Sequence, residues 1–171
     1  MNRSFVVFTG AAAIGFSLVL STQTSRSAQI GTSTKLNTDA KMATTANRTQ
    51  PHRLAVQVDV NDPATMNLAL NNVSNTVQHY SEIGQKVEIE VVAFGPGLHM
   101  LREDTSPVKA RIKSMSETMP EVSFSACGNT RENMTKVEAK EIPLISQAKV
   151  TKSGVVRLME LQELGWSYLR P

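Results

Sequence analysis

The stretch Leu54-Ala55-Val56-Gln57-Val58-Asp59, followed by Asn61-Asp62-Pro63 and then by Met66, Leu70, Val73, Val77 and Tyr80, decides how the chain folds. Leu54, Val56 and Val58 alternate with less apolar residues, the period of a strand with one face in a core. Asp62 supplies an N-cap acceptor and Pro63 suits the first position of a helix, where its missing N–H is no loss. The apolar residues from Met66 onward recur at helical spacing, and Gly84 closes the helix. A strand turning directly into a capped helix is the opening of an α/β unit.

Working outward, the same unit repeats. Val87, Ile89 and Val91 predict a second strand that runs through Ala93 into Gly95-Pro96-Gly97, with a short helical turn at Leu98 to Leu101. Ser106-Pro107 opens a helix with the stripe Val108, Ile112, Met115 and Met119, closed by Pro120. Val122, Phe124 and Ala126 predict a third strand, Cys127-Gly128-Asn129-Thr130 a turn, and the residues to about Ala139 a more weakly patterned helix. Ile142 to Ser146 reads as the fourth strand. Thr151 or Ser153 caps a helix through Leu164, and Trp166 to Leu169 forms the last strand.

Strands alternating with helices imply right-handed crossovers, hence a flavodoxin-like three-layer α/β domain with a mostly parallel sheet of about five strands. Gln57, Glu88, Glu90, Ser123 and Ser125 put polar groups at alternate strand positions, where a sheet covered on both faces would be apolar throughout. Either one face is thinly covered or an oligomer interface covers it.

The domain is expected over residues 51–171. Before it, residues 1–28 have the order of a secretory signal: Arg3, an apolar stretch from Phe5 to Leu20, then small polar residues ending in Ala28. Its apolar run, interrupted by Gly10, Gly15 and Ser17, is shorter than the ~20 residues a membrane span needs, which favours cleavage over anchoring. No cysteine stands there to take a lipid. Residues 29–50, rich in Thr, Ser, Asn and Ala, are expected to be a disordered linker. The protein is thus expected to be exported, periplasmic or secreted, touching a membrane only through an uncleaved signal.

The formal net charge of +3 divides into +4 before residue 51 and −1 after it, so the domain carries no electrostatic case for nucleic acid. The one cysteine, Cys127, rules out an internal disulfide, a Cys-x-x-Cys redox pair and a thiolate-rich zinc site. Three scattered histidines, His52, His79 and His99, have no metal-ligand spacing, and Gly95-Pro96-Gly97 lacks the pattern of dinucleotide and phosphate loops, so neither metal nor cofactor is expected.

In an open α/β sheet the loops after the strands gather at the carboxyl edge, where ligands bind. They would bring together Asp59, Asn61, Gly95, Gly97, His99, Cys127, Gly128, Asn129, Thr130 and Gln147. Cys127 stands before a helix start, whose N–H groups favour a thiolate and would make it a nucleophile. A buried small hydrophobe is the other reading of the same residue. His99 would at most orient or deprotonate the thiol. Asn71, Asn72 and Asn75, poor helix formers within the first helix, either bond neighbouring loops or form a solvated face.

Taken together, Val58-Asp59, Asp62-Pro63, Leu70-Asn71-Asn72 with Asn75, Gly95-Pro96-Gly97, Ala126-Cys127-Gly128-Asn129-Thr130 and the closing Gln162-Glu163-Leu164-Gly165-Trp166-Ser167-Tyr168 with Pro171 resemble the DsrE/DsrF-like family, in its branch of small, mostly uncharacterised proteins. The resemblance covers about residues 53–171. It implies a flavodoxin-like domain that associates as a homo-oligomer, a trimer or hexamer. It also implies that Cys127, at the position of the sulfur-relay cysteine after the third strand, accepts sulfane sulfur as a persulfide and passes it to a thiol partner protein. The exported location and the Gly128-Asn129-Thr130 turn depart from the sulfur-relay members. The alternative expectation is a non-catalytic oligomeric module of the cell envelope that binds a ligand or another protein.

Overall fold

Five parallel strands in the order β4-β3-β2-β1-β5 form the centre of the molecule in a computed structural model that describes residues 50–171. The expected signal, and all of the expected linker but Gln50, lie outside the described residues. The strands are β1 (His52–Val58), β2 (Val87–Ala93), β3 (Val122–Cys127), β4 (Ala148–Thr151) and β5 (Ser167–Leu169). Between them run α1 (Pro63–Glu82), a 3-10 helix (Gly95–Leu101), α2 (Lys109–Thr118), α3 (Gly128–Glu138) and α4 (Gly154–Glu163). This is the flavodoxin-like α/β architecture that the sequence predicts.

Local chemistry places the elements as expected. Asp62 caps α1, its carboxylate accepting from the Thr65 N–H at 2.8 Å and from the Thr65 hydroxyl at 2.6 Å. Met66, Leu70, Val73 and Val77 bury the inner stripe of α1. Asn71 lies on its outer side and accepts from Arg111 of α2 at 2.6 Å, tying the two helices together. His52 stacks on Tyr80 at 4.0 Å and bonds Gln85 at 2.6 Å, a structural use at the amino end of β1. Gly97 fits where no side chain can: a Cβ there would lie 2.2 Å from the Val58 carbonyl oxygen, so the 3-10 helix rests directly on the backbone of β1.

The two faces of the sheet are unequal. The crossovers α1, α2 and α3 all step the same way along the sheet, and right-handedness therefore puts them on one face. That face holds the main core, with Val56, Val58, Ile89, Val91, Phe124 and Ala126 under Met66, Leu70, Ile112 and Met115. The chain then steps back from β4 to β5, and α4 lands on the other face. There Leu158 and Leu161 cover only Ala55 and Val92, flanked by Phe94 and Trp166. The polar alternation in the sequence thus reflects a thinly covered second face: Gln57 bonds Tyr168 at 2.7 Å, and Glu90 bonds Ser125 at 2.7 Å.

One expectation is corrected. Ile142 to Ser146 is not the fourth strand; it makes a single antiparallel bridge from Leu144 to Arg102, and buries Ile142 and Ile145 to close the end of the core. Apolar residues there serve packing, and Pro143 has no N–H to give a ladder. The fourth strand is Ala148–Thr151, whose Lys149 and Val150 are exposed at the sheet edge. The helix expected from Ser106-Pro107 begins at Lys109; Ser106 instead braces the preceding turn, its hydroxyl donating to the Met100 carbonyl and accepting from the Val108 N–H at 3.3 Å.

Candidate functional site

In the strand order observed, the connection leaving β3 goes to one face of the sheet and the connection leaving its neighbour β4 goes to the other. Such a divergence opens a crevice at the carboxyl ends of the two strands, where open α/β sheets hold their ligands. Cys127 is the last residue of β3 and pairs in register with Thr151, the last of β4. It therefore stands in the crevice itself. By strand alternation its side chain shares the α4 face with Ser123 and Ser125.

Two helices begin around its sulfur. Cys127 is the N-cap of α3, and although its side chain makes no capping hydrogen bond, the nearby N–H groups of Asn129 and Thr130 and, from the other side, of Gly154, the first residue of α4, favour its thiolate. The Thr130 hydroxyl is a further donor. Its own oxygen accepts from the Gly95 N–H at 3.0 Å, which leaves its proton free for the sulfur. The Asn129 N–H donates to the Lys152 carbonyl at 3.1 Å, and of the groups that favour the thiolate it weighs least.

Cys127 is 5% exposed. Burial pushes its thiol pKa up, but the Thr130 hydroxyl and the N–H groups of Gly154, Thr130 and Asn129 outweigh burial and hold it below the usual thiol value. Gly154 is fixed in place by contact: a Cβ there would meet Phe94 Cβ at 2.9 Å. Thus a short, sequence-local turn and a distant helix together favour a thiolate.

Two clefts include residues of the turn after Cys127, which itself is in the wall of neither. One, of about 390 Å³, lies toward α3 and includes Gly95, Pro96, His99, Thr130 and Met134 in its walls. The other, of about 410 Å³, lies toward α4 and includes Asn129, Thr151, Lys152, Ser153 and Arg157. A larger cleft of about 610 Å³, at Lys86, Val87 and Pro120, opens at the amino edge of the sheet, away from the thiol.

The expected site residues separate into two groups. Cys127, Gly128, Asn129, Thr130 and Gly95 come together at the sulfur or in the turn that holds it. His99 shares a cleft wall with Thr130, but its Nδ1 is engaged with the Thr105 hydroxyl at 2.8 Å and no hydrogen bond joins it to Cys127. Asp59 is held by Arg170 at 2.9 Å at the end of β1, two strands from β3, and Asn61 is exposed ahead of α1. Gly97 serves the packing against Val58. Gln147 precedes β4 and so lies at its amino end, which removes it from the carboxyl edge. Among the described residues no group of three or more His, Cys, Asp or Glu side chains is placed to hold a metal ion.

Sequence reasoning missed Gly154, Lys152 and Thr151 at the site. Ser153 was legible as a helix cap, and it does accept from the Val156 N–H. Its nearness to Cys127, however, follows from the β3–β4 register, which the displaced fourth strand concealed.

No family model matches the chain, and no curated protein does. A solved structure resembles it. This is a protein of unknown function, MTH1491 from Methanobacterium thermoautotrophicum, with 29% sequence identity and a TM-score of 0.60 over 70% of this chain and 99% of that one. The likeness supports the fold and carries no activity with it.

Proposed function

We propose that this protein is a sulfur carrier with Cys127 as its acceptor. The observation behind the reading is the place of Cys127 at the carboxyl end of β3, at the start of α3 and beside the start of α4, where the Thr130 hydroxyl and nearby N–H groups favour the thiolate. A thiolate is the form that attacks sulfane sulfur, and donors that stabilise it also stabilise the anionic persulfide that follows.

The steps balance without a further oxidant. The Cys127 thiolate attacks the outer sulfur of a donor such as thiosulfate; the new S–S bond forms as the old one breaks, and sulfite leaves with the electron pair. The persulfide anion on Cys127 then meets a partner thiolate, which takes the terminal sulfur and returns Cys127 as thiolate. The resemblance to the DsrE/DsrF-like family supports the same role, together with export and a trimeric or hexameric assembly.

A second reading is favoured by the near-complete burial of Cys127: the domain holds a ligand or an envelope protein, and the cysteine is packing. Intact-mass measurement after incubation with thiosulfate separates the two. A thiol-reversible gain of one sulfur on the native protein, absent from Cys127→Ser, is expected for the carrier. No gain on a protein whose thiol still reacts with a small alkylating agent would overturn it.

A further inference from the structure

Helix α4 covers the thin face of the sheet with one side and carries an apolar stripe on the other. Gly154, Leu158 and Leu161, at i, i+4 and i+7, are buried against the sheet. Away from them Val155, Val156 and Met159 are 53%, 50% and 54% exposed. Among the described residues no other helix exposes more than one large apolar side chain; Leu68 on α1 and Val137 on α3 stand singly. Scattered single residues are ordinary on a surface, whereas three together on a helix of 10 residues mark a contact.

The charges on the same side run against the helix. Lys152, one residue ahead of the Ser153 cap, is exposed, and the last turn carries the exposed Glu160 and Glu163. A helix dipole favours acidic side chains at the amino end and basic ones at the carboxyl end, yet α4 has no acid in its first turn and no base in its last. Glu160 is answered by Arg157 at 3.3 Å. Among the described residues Lys152 and Glu163 have no salt-bridge partner. Within one helix this order of charges is unfavourable, which points to a benefit outside the chain.

The stripe is complementary to itself when reversed. Val156, Met159 and Glu163 share a face at i, i+3 and i+7, and Lys152 and Glu163 lie equally far in sequence on either side of the point midway between Val156 and Met159. A second copy of α4 laid antiparallel over that point sets Val156 against the partner's Met159 and Lys152 against the partner's Glu163. Each contact then occurs twice. A parallel copy would set Lys152 on the partner's Lys152.

We propose that the outer side of α4 is the contact with a second copy of this chain, an antiparallel helix pair on a two-fold axis between Val156 and Met159. It deepens the assembly proposed above and rests on the chain associating with itself, not on the role of Cys127. A hexamer with two-fold axes contains such a contact; a bare trimer does not. Helix α4 is only about 15 Å long, so the contact is small and depends on the charges at its ends.

Sedimentation of the native protein over a concentration series, beside two charge reversals, tests this. An even-numbered oligomer is expected. Lys152→Glu and Glu163→Lys each turn both end contacts from attraction into repulsion, and each is expected to weaken the even-numbered assembly about tenfold or more. Both positions are exposed, and Lys152→Glu puts the favoured charge at the start of α4, so a loss of assembly does not reflect a weakened helix. An equimolar mixture of the two variants is the deciding sample. In the mixed pair both end contacts are again opposite in sign, so association returns to near native strength although neither variant reaches it alone. A native protein that is monomeric or trimeric at every concentration overturns the proposal. So do single reversals that associate as the native protein does, and a mixture that associates no better than its components. Sulfur loading is not read here: failure of the contact leaves the carrier reading standing, and Cys127→Ser, which bears on that reading, is expected to assemble as the native protein does.

Discussion

Gly154, the first residue of α4, stands beside Cys127, the last residue of β3, close enough for its main-chain N–H to favour the thiolate. The two residues belong to different crossovers and meet only because β4 lies between them in the chain and beside β3 in the sheet. Gly154→Ala tests this contact. Its methyl group would press on Phe94 Cβ at 2.9 Å and Cδ1 at 3.0 Å, moving the start of α4 outward. We expect a loss of about 1–3 kcal/mol in urea denaturation and a rise in the Cys127 thiol midpoint.

Thr130→Val removes the hydroxyl donor to the sulfur and leaves the Gly95 N–H without its acceptor. The midpoint should rise, and alkylation near neutral pH should slow in proportion to the lost thiolate. Thr130→Ser keeps both bonds and should restore the native pH profile. Alkylation rates against pH for the three proteins check this.

The Cys127 thiol also couples stability to pH. Its pKa in the folded protein lies below the ordinary value of 9.0, so the folded state loses its proton first. The stabilisation is complete above about pH 9 and is lost as pH falls through the folded value. Urea midpoints measured from neutral pH to about pH 9.5 should therefore rise for the native protein relative to Cys127→Ser. Parallel curves would count against the ionised thiol.

A second pH window belongs to Arg102, which is 1% exposed and forks between Asp104 and Glu138, bonding Asp104 at 2.8 Å. Arg102, with Lys140 beside it, lowers the Glu138 carboxyl to about 2 from 4.5 and holds Asp104 well below the usual carboxylate range. Both carboxyl pKa values are depressed, so the stabilisation is full above about pH 4.5 and disappears progressively as pH falls toward 2. Arg102→Met should lower the urea midpoint near neutral pH and flatten the acid limb of the unfolding curve.

How much of this could be read from the sequence depends on how local each cause is. β1 and α1 were legible because alternation, the Asp62 cap and Pro63 all act within a few residues. The Cys127-Gly128-Asn129-Thr130 turn was legible for the same reason, and three of the four groups that favour the thiolate come from it. The fourth strand was not. Ile142 and Ile145 imitate a strand because they plug the core, whereas the true edge strand shows Lys149 and Val150 to solvent and so lacks a strand's apolar signature. That displacement put Gln147 into the site and left Gly154 out. Asp59 was expected there because it follows a strand, but its partner Arg170 comes from the far end of the chain, which no local pattern reveals.

The pairing of β5 with β1, Leu54 to Ser167 through Val56 to Leu169, bears on how the protein is made. During synthesis the outer edge of β1 stands open until β5 has been made. α4 closes onto the sheet only just before β5 does. A nascent or truncated chain ending before α4 would thus carry Cys127 without Gly154 beside it, and its thiol would be closer to an ordinary one. Closure of the sheet and completion of the surroundings of Cys127 therefore go together, when α4 and β5 join.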